Sequence, residues 1–243
     1  RVGAQLIVIR EPRVDVEGLS DSRHVAWLQK IYAFQLVKKF EAVLYVDADI
    51  LITPDAPDIF QLMRLAGAKC AMYDEGHLGR RHYGEQLTEL LGQPSTENMF
   101  DTYFNAGVVY LNRQANLPWN LKVADVKRVM RAGVSCPEQT WLNYVTIDDL
   151  EDTFSLDRAF NFMEETDGDK IRRFEANFIH YAGYSFRNSK RQKRVDVMRT
   201  DYYKIFERAG LFSSVKYVVA FVIDKFVGLY WSLSKKFNAL IVG

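Results

Sequence analysis

Two carboxylates separated by one small residue, Asp47-Ala48-Asp49, follow the apolar run of residues 42–46. A run that is apolar on both faces suits a covered strand, and we read it as an inner strand of a parallel sheet. In open α/β sheets ligands bind beyond the carboxyl ends of strands, so both acids can face one site while Ala48 packs the other way. Carboxylates so placed repel each other unless a cation lies between them. Oxygen donors suit hard ions such as magnesium or manganese, which keep positions open for water or phosphate oxygens. The pair therefore points to a metal-diphosphate site. The same tripeptide also suits an Asp-rich turn that caps a helix or braces a loop.

His180 lies in a second apolar run, residues 178–182, with Gly183 after it, and so also stands near a strand end. An imidazole beside two carboxylates favours manganese over magnesium. A histidine in such a run is also an ordinary hydrogen-bonded core residue, and its weight as a ligand comes from the company of Asp47 and Asp49.

The elements that must position these groups follow from periodicity. Residues 5–9 read as a strand closed by Arg10, Glu11 and Pro12. Val25, Leu28, Ile31, Tyr32 and Leu36 repeat at helical spacing, which predicts a helix from Ser22, its N-cap, to near Lys39. Further strands are predicted over 69–73, 107–111 and 177–181, and helices over 120–132 and 137–145. This alternation argues for an α/β fold. Residues 77–101 read as a loop with a short helix over 86–91, a candidate lid. A basic stretch, Lys190, Arg191, Lys193 and Arg194, precedes a tail that mixes apolar and aromatic residues with lysines. Residues 213–241 read as a helical annex docked on the domain or on another subunit, with an interfacial amphipathic helix as the alternative.

The chain has 243 residues, 48% apolar and 26% charged, enough for one substantial core. A net charge of +1 gives no field that favours nucleic acid. Cys70 and Cys136 both lie in apolar stretches, where a buried thiol is the common state, so a reducing, cytoplasmic location is expected, with peripheral membrane association as the alternative. The sequence starts without methionine, leader or membrane-spanning run, and we expect it to begin inside a longer protein.

Four blocks together resemble glycosyltransferase family 8, which includes glycogenin and bacterial lipopolysaccharide galactosyl- and glucosyltransferases. They are Tyr45-Val-Asp-Ala-Asp-Ile-Leu-Ile52, Tyr103-Phe-Asn-Ala-Gly-Val-Val-Tyr-Leu111, Pro137-Glu-Gln-Thr-Trp-Leu-Asn143 and His180-Tyr-Ala-Gly183. Their order and spacing match the family over residues 23–184. The resemblance implies a GT-A fold: a Rossmann-like mixed sheet flanked by helices, here as a domain over 1–195 with a helical C-terminal annex over 196–243. It implies Mn2+, with Mg2+ as the alternative, on Asp47, Asp49 and His180, and a UDP-sugar as donor.

By the same resemblance the donor is lined by Lys30, Asp47, Ala48, Asp49, Asn105, Ala106, Gly107, Gly183 and Arg187. Asn105, Glu138 and Gln139 are the candidate catalytic residues. The other readings are a solvated helix lysine for Lys30, a turn asparagine for Asn105 and a helix first-turn acid for Glu138. Glu138 stands where the family usually has aspartate. Phe186 stands where it has the lysine of a His-x-x-Gly-x-x-Lys motif, which leaves Arg187 or Lys190 to meet the diphosphate. The family's first strand and its nucleobase contacts normally precede the point where this chain starts, so a truncated front or a reduced donor pocket is expected.

The implied activity is retaining hexosyl transfer to a glycan, lipid-linked or protein acceptor. A catalytically silent nucleotide-sugar-binding relative is the alternative. A metal-dependent nucleotidyltransferase ranks last, because no glycine-rich phosphate loop is visible.

Overall fold

The computed structural model describes residues 16–19, 22–76, 81–92, 102–116, 122–146, 153–168, 170–182 and 194–208. The expected strand at 5–9, about half of the expected lid, the expected annex beyond residue 208, and Gly183, Phe186, Arg187 and Lys190 lie outside them.

Helix α1 (Ser22–Gln35) continues into a 3-10 turn at Leu36–Lys38. Leu28, Ile31, Phe34 and Val37 are buried at the spacing of one helix face. Strands β1 (Ala42–Val46) and β2 (Ile50–Ile52) flank a turn in which the Ile50 amide donates to the Asp47 carbonyl at 3.2 Å. Helix α2 (Ile59–Leu65), absent from the sequence reading, is capped by Asp58, whose carboxylate accepts from the amides of Phe60 and Gln61. Then follow β3 (Cys70–Asp74), α3 (Arg81–Leu91), β4 (Phe104–Asn112), α4 (Val123–Arg131), α5 (Pro137–Thr146), β5 (Thr153–Ser155), β6 (Phe178–His180) and α6 (Arg194–Arg208).

A four-stranded sheet has the order β1-β4-β3-β5, and β2 and β6 form a two-stranded antiparallel ladder. The main sheet is mixed: β4 runs antiparallel to both neighbours and only β3–β5 is parallel. The α/β class with helices on a mixed sheet is as expected. The place of β1 is not. It is antiparallel, and among the described residues it pairs with β4 alone and is only partly buried along its length. Its apolar run packs the rim of two cores, which a pattern of apolar residues cannot distinguish from a central position. In the main sheet it is β4 and β3 that are buried along almost their whole length.

One core fills the space between the sheet and α1, α3, α4 and α5, around Leu28, Phe34, Val109, Leu111, Val129 and Leu142. A second covers the opposite face, around Ile59, Ala71, Val108, Tyr110 and Phe178. A third joins β2 and β6 to α6 through Leu51, Ile179, Tyr181, Val197 and Ile205. Cys70 is buried as expected, but Cys136 is exposed, because it lies in the turn between α4 and α5 rather than inside either helix. Among the described residues no helix is long and apolar enough to cross a membrane.

Candidate metal and donor site

The turn after β1 and the end of β6 bring three donors together. The register Ile50↔His180 in the β2–β6 ladder lays the histidine across the Asp47–Asp49 turn, and the Tyr181 amide donates to the Asp49 carbonyl at 2.9 Å. One ligand atom each from Asp47, Asp49 and His180 falls within 4.8 Å of the others. His180 Nε2 lies 3.5 Å from Asp49 Oδ1 and 3.9 Å from Asp47 Oδ2. The acids converge because a turn, not strand alternation, joins them. Ala48, expected to pack inward, is exposed at its apex.

Each carboxylate has a cation beside it. Lys30, on α1, is only 7% exposed and is no solvated helix lysine. Its Nζ lies 3.1 Å from Asp47 Oδ1 and 3.5 Å from Glu138 Oε1, and it donates to the Ala106 carbonyl at 3.4 Å. Arg194, the first residue of α6, places Nη1 2.8 Å from Asp49 Oδ2 and donates to the Tyr181 carbonyl at 3.1 Å. Burial pushes the Asp49 carboxyl up, but the hydrogen bond and charge of His180 and the Arg194 guanidinium outweigh it and hold the group below its ordinary value. Tyr45 donates its hydroxyl to Asp47 Oδ1 at 2.5 Å. Burial first, then the charge of Asp47, pushes this phenol far above its ordinary value, so it acts as a neutral donor.

The Phe-Asn-Ala-Gly block forms the floor. Asn105 belongs to β4, not to a turn before it, because the strand pairs on to Asp74↔Phe104. Between Asn105 and Val109, the partners of Tyr73 and Met72, β4 bulges and carries Gly107 beneath the imidazole. A Cβ at Gly107 would lie 2.7 Å from His180 Nδ1 and 2.8 Å from Asn105 Oδ1, so only glycine admits the ring there. The β1 register ends at Val46↔Val108, and side chains of α5 serve the backbone beyond it. Asn143 bonds both the amide and the carbonyl of Phe104, at 2.6 and 2.8 Å, and Gln139 Oε1 accepts from the Ala106 amide at 3.2 Å.

The structure therefore brings Lys30, Asp47, Ala48, Asp49, Asn105, Ala106, Gly107, Glu138, Gln139 and His180 into one region. The three candidate catalytic residues among them all have internal partners. Glu138 is held by Lys30, Gln139 by the β4 backbone, and the Asn105 amide by Glu75, Asn161 and the Gly107 amide. Sequence reasoning missed Tyr45, Glu75, Asn161 and Arg194 as site residues. Tyr45 opens the first of the four family blocks and Arg194 closes the basic stretch before the tail, whereas Glu75 and Asn161 lie in none of the blocks.

Two hard oxygens and an imidazole nitrogen within one coordination radius fit a divalent ion that keeps further positions open. Lys30 and Arg194 offset the acids without closing the His180 side, so the residues present fit such an ion.

Residues 13–186 match glycosyl transferase family 8. No curated protein matches the chain in sequence. Similar solved structures include mouse xyloside xylosyltransferase 1 in its apo form, 16% identical over 64% of this chain and 63% of that chain, with a TM-score of 0.39. The bifunctional glycosyltransferase WbbM is 18% identical over 76% of this chain and 37% of its own, with a TM-score of 0.46. The galactosyltransferase LgtC, solved with donor and acceptor sugar analogues, is 15% identical over 70% and 66%, with a TM-score of 0.41. This chain spans less than two thirds of each.

Proposed function

Because the chain belongs to glycosyl transferase family 8, we propose that it moves a hexose from a UDP-sugar donor to an acceptor with retention at the anomeric carbon. The convergence of Asp47, Asp49 and His180 carries the reading. Asp47 and Asp49 would hold a divalent cation, Mn2+ in preference to Mg2+, through carboxylate oxygens, with His180 Nε2 as the third donor. When bound, such a cation neutralises charge that builds on the departing diphosphate.

The protein's own groups share that work. Lys30 keeps Asp47 and Glu138 from repelling each other, and its ammonium lies beside the carbonyl of Ala106. Arg194 uses Nη1 for its contacts with Asp49 and the Tyr181 carbonyl and its side chain is 44% exposed, so its remaining N–H groups can face a diphosphate. It would serve in place of the family lysine that Phe186 replaces. Asn105, Ala106, Gly107 and Gln139 would form the wall against which the sugar lies, and Glu138 would flank it. Ala48, Gly183 and Arg187 complete the proposed donor lining. Acceptor choice is assigned to residues 77–101 and the annex over 196–243, since loops on a fixed scaffold carry specificity. A glycan or lipid-linked acceptor is preferred over protein.

The internal pairing of Glu138, Gln139 and Asn105 favours one other reading, a relative that binds a nucleotide sugar without turning it over. Calorimetric titration of UDP-glucose and UDP-galactose with Mn2+, with chelator, and into Asp49→Ala, followed by donor hydrolysis, separates the two. Metal-dependent binding lost in Asp49→Ala, with sugar released, supports the transferase. Binding without release supports the silent relative, and no binding in any condition overturns both.

A further inference from the structure

Behind the imidazole of His180 runs a chain of three buried side chains that a metal site alone does not explain. His180 Nδ1 lies 2.9 Å from Asn161 Oδ1, Asn161 Nδ2 donates to Asn105 Oδ1 at 2.9 Å, and Asn105 Nδ2 donates to Glu75 Oε1. Asn161 is 0% exposed, Asn105 5%, His180 4% and Glu75 8%, so water does not compete for these bonds.

Polarity along the chain is set from its far end. The Gly107 amide can only donate, and it points at the Asn105 side chain at 2.7 Å. The atom it meets must be the carbonyl oxygen, which turns the Asn105 NH2 toward the Glu75 carboxylate. That oxygen also receives Asn161, so the Asn161 group facing it must be NH2. The Asn161 carbonyl oxygen is then the atom left for His180. An amide oxygen has no proton to give, so His180 Nδ1 must carry one. Nε2, which faces Asp47 and Asp49, is thereby the nitrogen left to offer its lone pair whenever the ring is neutral. Backbone geometry supports the same end: Asn161 follows the 3-10 turn Arg158–Phe160, and the next residue, Phe162, exchanges backbone bonds with β6, accepting from the His180 amide at 2.8 Å.

We infer that Asn161 is a positioning residue that fixes the Nδ1–H tautomer of His180, with Asn105 and Glu75 behind it setting which way its amide faces. Ligating histidines depend on such partners for ring orientation and donor strength, and loss of the partner commonly lowers metal affinity roughly 10–100-fold. This rests on the metal reading above for its consequence, but the tautomer itself can be read in the metal-free protein.

The test uses long-range proton–nitrogen NMR of the metal-free chain with nitrogen-labelled histidine, the His180 signals being assigned by their loss in His180→Gln. At a pH high enough for the imidazole to be neutral, the expected pattern has the proton on Nδ1 and a bare Nε2. In Asn161→Leu, similar in size but without an acceptor, that preference should be lost and the Mn2+ dissociation constant should rise roughly 10–100-fold. Thermal unfolding in chelator checks that the variant is folded. A neutral native His180 with its proton on Nε2 and none on Nδ1 overturns the inference, as does an Asn161→Leu chain that binds Mn2+ within about twofold of native. If the native chain shows the Nδ1 proton but binds no Mn2+, the tautomer stands and it is the metal reading that falls.

Discussion

Replacing Lys30 by methionine tests whether one buried ammonium holds the acidic cluster together. Its Nζ stands 3.1 Å from Asp47 and 3.5 Å from Glu138, and the three side chains are 8%, 23% and 14% exposed. Methionine keeps the unbranched stem and its packing, so the change is chiefly one of charge. At an effective dielectric near 20, each contact is worth about 5 kcal/mol before desolvation is subtracted. Removing one partner of a buried pair costs about 3–5 kcal/mol, because the other partner stays charged and buried. Asp47 keeps the Tyr45 hydroxyl and both acids retain some contact with water, so we place the loss near the lower figure, about 3 kcal/mol. For a chain of this size that lowers Tm by about 6–12 °C. The assay is thermal and urea unfolding of both proteins in chelator, repeated with Mn2+. A cation on Asp47, Asp49 and His180 supplies part of the missing charge, so Mn2+ should raise Tm more in Lys30→Met than in the native chain. A loss below about 1 kcal/mol in chelator refutes the reasoning, since surface-like pairs contribute no more than that.

Gly107→Ala should drive a methyl into the His180 ring and the Asn105 amide, costing about 1–3 kcal/mol of stability and weakening Mn2+ binding by calorimetry; unchanged metal affinity would show the ring can step aside. Arg194→Met should weaken UDP binding in the presence of Mn2+ roughly ten- to a hundredfold, the order of one charge-assisted hydrogen bond at about 1.5–3 kcal/mol, while leaving the affinity for Mn2+ alone no lower. Equal loss of both would instead assign Arg194 to holding Asp49. Tyr73 donates to Asp167 inside the protein at 2.5 Å, and burial, followed by that carboxylate, raises its phenol well above 10. The unfolded chain therefore releases a proton near pH 10 that the folded chain retains, so the contribution is complete below pH 10 and is lost as pH rises beyond it. Urea midpoints should fall more steeply above pH 10 in the native chain than in Tyr73→Phe.

Much of the site was legible in order along the chain because its donors are short motifs at strand ends. Asp47 and Asp49 close an apolar run, His180 closes another, and one ladder register, Ile50↔His180, joins them. The helix through Lys30 and the strands around Cys70 and Asn105 were legible for the same reason, since burial of one face imposes a period. Elements of three residues, such as β5, and the short α2 carry too few turns of any period to stand out.

What the sequence determined by itself was the class of the fold, the family, and the three candidate metal donors that the fold brings together, because these rest on residue type and local spacing. What only the tertiary structure decided was partnership. Lys30 could have been solvated, Gln139 and Asn143 could have faced a ligand instead of the Phe104 and Ala106 backbone, and nothing near Asn161 in the chain marks it as the partner of His180. The antiparallel setting of β1 was equally hidden, since its apolar side chains would pack as well in either direction. Hydrogen bonds and ion pairs depend on separations of a few tenths of an ångström between residues far apart in the chain, and only the folded backbone sets such distances.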